Sequence, residues 1–195
     1  MPREYSSHSV VEGTLLWEPS ESIKQRSNVS RYMRWLASHK GLDFADYAAL
    51  WQWSVSEIEN FWTSIWDFYK VGALPPYQVA LENRAMPGAR WFAGVELNYA
   101  ERALARNDDH PAVVFKAEEK PLTIITFHQL RQRVASVAAG LRRLGVTKGD
   151  RVVAYMSNTP ETVVAFLATA SIGAIWSVCS PEFGTKNVAD RFKQI

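Results

Sequence analysis

Residues 149–195 read GDRVVAYMSNTPETVVAFLATASIGAIWSVCSPEFGTKNVADRFKQI, and their pattern decides the fold. Arg151 to Met156 is a short apolar run opened by a Gly-Asp turn, as a buried strand would be. Thr159 stands where an N-cap belongs and Pro160 at the first helical position. Val163, Val164, Phe166, Leu167 and Ala170 then give that helix a broad apolar face. Gly173 ends it, and Ala174 to Cys179 is a second apolar run. Two buried strands joined by one helix make a parallel βαβ unit with a right-handed crossover. Ligands of open α/β sheets sit beyond the carboxyl ends of the strands. Here that place is the loop Ser180, Pro181, Glu182, Phe183 and Gly184. A Pro- and Gly-containing turn after a parallel strand offers exposed backbone groups and a hydroxyl. It equally suits a plain connection to the helix that follows.

Tryptophan divides what lies before this unit. Of eight tryptophans, seven fall at or before position 91 (Trp17, Trp35, Trp51, Trp53, Trp62, Trp66 and Trp91), so the chain holds two regions with different packing. Residues 1 to about 26 read as an irregular arm, with Leu15, Leu16 and Trp17 an apolar anchor. Asn28 can cap a helix carrying Val29, Tyr32, Met33 and Leu36 and closing near Gly41. A second helix begins at Asp43, with Phe44, Tyr47, Leu50 and Trp51 on one face. Ser54 and Glu57 have the spacing of a capping box, and the helix after them bears Ile58, Phe61, Trp62, Ile65, Trp66 and Phe68 or Tyr69. That aromatic stripe can pack helices onto a larger body, face a partner protein or stack bases. Base stacking calls for interleaved Lys and Arg, and Ser54 to Tyr69 contains neither.

Leu74-Pro75-Pro76-Tyr77 breaks the helical pattern, and residues 77–95 read as connecting chain. Asn98 can cap a short helix reaching Arg106. Ala112–Lys116 and Leu122–Thr126 form a hairpin around a charged turn. Thr126 then caps an amphipathic helix with Phe127, Leu130, Val134, Val137, Leu141 and Leu144 three or four apart, and Gly145 closes it.

Composition narrows the classes. With 47% hydrophobic and 22% charged residues the chain is globular, and a net charge of +2 without a basic block gives no reason to propose a nucleic-acid or membrane partner. Cys179, the single cysteine, excludes an internal disulfide and fits a reducing compartment; ending an apolar strand, it reads as a core thiol. No run approaches the ~18 apolar residues of a membrane span, and a cytoplasmic location is the expectation. His8, His39, His110 and His128 are scattered singly, so no metal site is expected. Neither a G-x-G-x-x-G nor a G-x-x-x-x-G-K-[ST] motif occurs, and no nucleophile–base set stands out, so no catalytic residue is assigned.

Several segments then carry a resemblance along essentially the whole chain, in collinear order. Leu16-Trp17-Glu18-Pro19, Trp53-Ser54-Val55, Trp91-Phe92-Ala93-Gly94 with Leu97-Asn98-Tyr99-Ala100-Glu101, Gly149-Asp150-Arg151-Val152, Gly173-Ala174-Ile175-Trp176-Ser177, Ser180 to Gly184 and Asp190-Arg191-Phe192-Lys193-Gln194-Ile195 resemble the acetoacetyl-CoA synthetase family, within the adenylate-forming acyl-CoA synthetases. The segment around Leu97 to Glu101 is shared with acetyl- and propionyl-CoA synthetases; the Cys179–Gly184 loop and the Asp190–Ile195 end favour the acetoacetyl branch. The resemblance implies an α/β fold: an N-terminal helical, Trp-rich layer over residues 1–106, then the first βαβ part of an AMP-binding domain over 107–195, its sheet incomplete. It implies an acetoacetate–CoA ligase acting through an acyl-adenylate, with ATP, Mg²⁺ and CoA as the parent's cofactors and the remainder of the parent chain as partner. The loop Ser180 to Gly184 would lie beside the CoA pantetheine channel, where acetyl-CoA synthetase has glycines in place of Pro181 and Glu182.

The family's Ser/Thr/Gly-rich phosphate loop, its later nucleotide motifs and its adenylation lysine are absent from residues 1–195. Adenylation depends on donors and Mg²⁺ gathered around phosphorus. The expectation is therefore an N-terminal segment inactive alone; the alternative is a non-catalytic binding module using the Trp-rich face or the loop. Strands near 151 and 174 would be left with open edges, an aggregation hazard. The isolated 195-residue chain should accordingly melt broadly or aggregate in a thermal scan with light scattering; a sharp, monomeric, cooperative transition would contradict this.

Overall fold

The computed structural model describes residues 10–72, 77 and 79–195. It divides into two compact units, Met1–Val95 and Glu96–Ile195.

The first unit is mainly helical. α1 (Glu21–Arg26) corrects the expectation of an irregular arm to about residue 26. The Ser20 carbonyl accepts the N–H groups of Ile23 and Lys24 at 2.9 and 3.0 Å, and Lys24 Nζ bonds Glu18 and Glu21 at 2.6 and 2.8 Å. α2 (Asn28–Lys40) is capped by Ser27, one residue before the expected Asn28; its Oγ accepts from Ser30 N at 3.1 Å. Gly41 ends the helix with a left-handed φ of 67°. α3 (Tyr47–Ser56) starts at Asp46, whose carboxylate accepts from Ala49 N at 2.8 Å, and not at Asp43.

The expected capping box does not form. Ser54 lies inside α3 and donates to the Trp51 carbonyl at 2.7 Å, and Glu57 occupies the N-cap of α4 (Ile58–Tyr69) without a side-chain cap bond. Leu74 to Pro76 lie outside the described residues. Within 77–95, read as plain connection, the chain makes a two-stranded antiparallel ladder of β1 (Leu81–Asn83) and β2 (Arg90–Trp91).

Tyr32, Leu36 and Leu50 form the buried centre of the helices, surrounded by Trp35, Phe44, Trp53, Phe61 and Phe68. The Tyr32 and Phe68 rings lie 5.2 Å apart, Phe44 and Trp53 5.2 Å, and Trp53 and Phe61 5.9 Å. Phe61, Ile65 and Phe68 of the aromatic stripe therefore join the helices' own core, while Trp62 and Trp66 pack against Trp91 and Phe92, and Trp62 and Tyr69 are exposed. Ser64 donates to the Phe61 carbonyl, which leaves its oxygen to accept the buried Tyr32 hydroxyl.

The second unit begins with α5 (Tyr99–Ala103). Asn98 accepts from Ala100 N and Glu101 N at 2.9 and 3.3 Å, as expected of a cap, and donates to the Ala170 carbonyl at 2.9 Å. β3 (Pro111–Phe115) and β4 (Thr123–Thr126) form the expected antiparallel hairpin. α6 (Phe127–Arg143) opens with a full capping box between Thr126 and Gln129. Its buried row is Leu130, Val134 and Ala138, whereas Leu144, expected on that face, is 82% exposed. The helix turns its core row toward α7, and position 144 lies past its last turn.

β5 (Arg151–Tyr155), α7 (Pro160–Ile172) and β6 (Ile175–Cys179) are the βαβ unit, with the two strands parallel and paired from Arg151↔Ile175 to Tyr155↔Cys179. α8 (Thr185–Phe192) follows. α7 ends at Gly173 with φ 80°, the left-handed region that favours glycine; a Cβ there would stand 3.1 Å from Cγ of the flexible Lys148 side chain. The strands are less buried than their apolar runs suggested: Val153, Ile175 and Val178 are exposed. Among the described residues β5 and β6 pair only with each other, so the sheet is incomplete. The unit's core lies instead where Ala100, Leu104, Ile125, Leu130, Val134, Val164 and Leu167 meet.

Leu36 has no exposure, so Leu36→Ala should destabilise the helical unit by ~3 kcal/mol through lost burial and a residual cavity. Exposed Val29→Ala should stay within ~0.5 kcal/mol. Urea unfolding followed by tryptophan fluorescence reads both.

Candidate functional site

The loop that leaves β6 is a built turn. The Ser180 carbonyl accepts the Phe183 N–H at 3.1 Å, closing a four-residue turn with Pro181 at its second position, where a fixed φ favours it. Glu182 keeps a negative φ, which excludes the type II form and the glycine it would require. Gly184 is extended, with φ −61° and ψ 150°, and serves as the N-cap position of α8. Ser180, Pro181, Glu182, Phe183 and Gly184 are thus brought together at the carboxyl end of the parallel pair, where the strand pattern placed them.

Two side chains absent from the expected set hold this turn. Tyr155, the last residue of β5, directs its hydroxyl at the Pro181 and Phe183 carbonyls, 2.7 and 2.8 Å away. A single O–H shared between two acceptors draws both carbonyls toward the sheet end. Arg191 of α8 lays its guanidinium 4.6 Å from the Phe183 ring centre, a cation–π contact. Tyr155 read as one of an apolar run, and Arg191 stood only within the Asp190–Ile195 segment that carries the family resemblance.

Within the loop, Ser180 Oγ donates to a Glu182 carboxylate oxygen. That bond, together with the Glu182 backbone N–H, lowers the Glu182 pKa below the ordinary 4.5. The carboxylate is solvent-exposed, so this is a local matter of loop shape.

Elsewhere in the second unit, an open groove of about 700 Å³ is lined by Asn98, Glu101, Asn107, His128, Arg131 and Gln132 among others, none from the loop. Several of its polar groups bond to one another or to the backbone. His128 Nδ1 donates to Asn107 Oδ1 at 3.0 Å, leaving Nε2 to accept from Gln132 at 3.0 Å, and Arg131 donates to the Leu104 carbonyl. His39 stacks on Trp35 at 5.1 Å; His8 lies outside the described residues. Cys179 is buried, as a core thiol. Among the described residues no three His, Cys, Asp or Glu side chains cluster as a metal site. No described helix is long and apolar enough to cross a membrane. In the first unit Tyr47, Trp51 and Tyr69 are exposed and line a groove of about 230 Å³ with Asn28 and Val29.

A family profile described as AMP-binding enzyme matches residues 100–195, and one described as Acetyl-coenzyme A synthetase N-terminus matches residues 47–103. Acetoacetyl-coenzyme A synthetase of Rhizobium meliloti (strain 1021) is 42% identical over 180 residues, 92% of this chain. The chain belongs to the adenylate-forming acyl-CoA synthetases. It corresponds to the N-terminal portion of their acetoacetyl-CoA synthetase branch. Acetoacetyl-CoA synthetase of Gallus gallus is 38% identical over 95% of the chain, and the solved acetoacetyl-CoA synthetase from Streptomyces lividans superposes with a TM-score of 0.85 at 43% identity over 92%. In each case the chain spans 28% of the relative's length.

Because hydrogen bonding from Ser180 is the largest influence on Glu182, Ser180→Ala should raise the Glu182 pKa toward the ordinary value. The folded pKa is depressed, so the loop gains from the charged carboxylate above about pH 4.5 and loses that support as pH falls through the lowered value. Carboxyl-carbon NMR titration of the two forms measures the shift; identical curves would remove the Ser180–Glu182 bond from solution.

Proposed function

We propose that the chain is the N-terminal part of an acetoacetate–CoA ligase, an AMP-forming acid–thiol ligase, with its loop Ser180 to Gly184 beside the pantetheine arm of CoA. The observation that carries this reading is the match to acetoacetyl-CoA synthetases along 92% of the chain, at 42% identity to the Rhizobium enzyme and 43% to the Streptomyces one. In the reaction, a carboxylate oxygen of acetoacetate bonds to the α-phosphorus of ATP and pyrophosphate leaves. The CoA sulfur then bonds to the acyl carbon, AMP leaves with the electron pair of the broken C–O bond, and the thiol proton passes to solvent.

In this reading Mg²⁺ and the phosphate-binding groups come from the remainder of the parent chain, since the family's phosphate loop and later nucleotide motifs do not occur in residues 1–195. The part played by this chain is to shape the CoA side. Residues 1–106 belong, in this reading, to the helical, Trp-rich region and 107–195 to the start of the AMP-binding domain; the compact units part between Val95 and Glu96 and the two family profiles overlap at residues 100–103, both before that boundary. A cytoplasmic location belongs to the same proposal, as do ATP, acetoacetate and CoA as small-molecule partners. The exposed aromatic groove at Tyr47, Trp51 and Tyr69 favours a second reading, a binding module without catalysis.

Residues 1–195 placed in the Streptomyces synthetase, in exchange for its matching segment, should support ATP-dependent formation of acetoacetyl-CoA with release of AMP. The 195-residue chain alone should give no ATP–pyrophosphate exchange. A folded chimaera that neither adenylates acetoacetate nor transfers it to CoA would sink the ligase reading and leave the binding module.

A further inference from the structure

We propose that Tyr155 is the positioning residue of the CoA-side loop, its hydroxyl setting the backbone of residues 180–184 against which the pantetheine arm lies. This rests on the ligase reading for the identity of the ligand, and on geometry for the positioning itself.

The geometry is specific. Parallel register puts Tyr155 opposite Cys179, beside the point where the loop leaves the sheet. The phenol oxygen meets the Pro181 and Phe183 carbonyls at 2.7 and 2.8 Å, 26 and 28 residues away in sequence. The turn's other described supports, the Phe183 N–H to Ser180, the Ser180–Glu182 bond and the Arg191–Phe183 contact, come from the loop and its own helix. Tyr155 supplies the tie between residues 181–183 and the strand pair. Its ring is half exposed, so the residue is not there to fill a core. A phenylalanine would pack as well, and the hydroxyl is what distinguishes the tyrosine.

The chemistry fits the ligand. Pantetheine is an extended arm with two secondary amides, which are oriented by main-chain partners held at fixed spacing. A five-residue loop containing both Pro and Gly has no ladder of its own to fix that spacing. Two carbonyls bonded to one hydroxyl cannot rotate independently, so the loop presents one backbone shape before the ligand arrives, and less ordering is left to binding. Tyr155 touches neither reacting atom and acts through the loop.

Tyr155→Phe tests this in two settings. In the 195-residue chain, hydrogen exchange at the Phe183 amide, the loop N–H bonded to the Ser180 carbonyl, should quicken by about tenfold, while the amides of α6 and α7 keep their protection. In the chimaeric synthetase the same change should raise KM for CoA by about three- to tenfold, the loss expected for one net hydrogen bond, with KM for ATP following the parent form. Unchanged loop exchange in the chain overturns the positioning role, and so does an unchanged KM for CoA in an active chimaera. A chimaera already inactive with Tyr155 in place counts against the ligase reading instead; the exchange result then decides the loop contact by itself.

Discussion

The parallel pairing of β5 with β6 is the constraint on which the second unit depends. Parallel strands cannot be joined by a tight turn, so the chain must return through a crossover, and α7 is that crossover. Once α7 lies across the pair, its remaining apolar surface has to be covered. α6 supplies most of that cover, through Leu130, Val134 and Ala138, and Asn98 ties α5 to the end of α7 by donating to the Ala170 carbonyl. The same constraint brings both carboxyl ends of the strands to one edge. Tyr155 and the start of the 180–184 loop are neighbours for that reason alone.

The two units solve burial differently. The helical unit uses large rings, with Tyr32, Trp35, Phe61 and Phe68 packed at 5 to 6.5 Å separations, such as the 5.5 Å between Trp35 and Phe68. Rings bury much surface per residue, which suits short helices with few core positions. The second unit uses Ala, Val and Leu, which let α6 and α7 approach closely. The uneven placement of tryptophan along the chain follows from this difference.

Charge contributes little to either core. The ion pairs are partly or largely exposed, as with Lys24 to Glu18 and Lys148 to Glu96, and such pairs are worth ~0–1 kcal/mol. The loop at 180–184 is therefore shaped by main-chain hydrogen bonds and by the Tyr155 hydroxyl, with the Ser180–Glu182 bond a local addition. Among the described residues the sheet beside it has only two strands, with Val153 and Ile175 exposed, and the chain spans 28% of the Rhizobium synthetase it matches.

Period and punctuation in the sequence were enough to determine the βαβ unit, the 111–126 hairpin, the Thr126 cap and the place of the loop, because each is set by local chemistry within a few residues. Helix starts were less legible. Ser27 and Asp46 outcompete nearby Asn28 and Asp43, and Ser54 is drawn into α3, because a cap is chosen by where the helix can pack and several polar residues qualify. The exposure of β5 and β6 and the turn of α6 about its axis depend on which neighbours are present, which no local pattern encodes. Tyr155 belongs to the same class: a residue inside an apolar run becomes the loop's anchor only when parallel register sets it opposite Cys179, 24 residues on. The sequence by itself determined that a turn would stand at the strand ends; tertiary structure alone decided what holds it, since carbonyls of residues 181 and 183 can share a hydroxyl only after the crossover has closed.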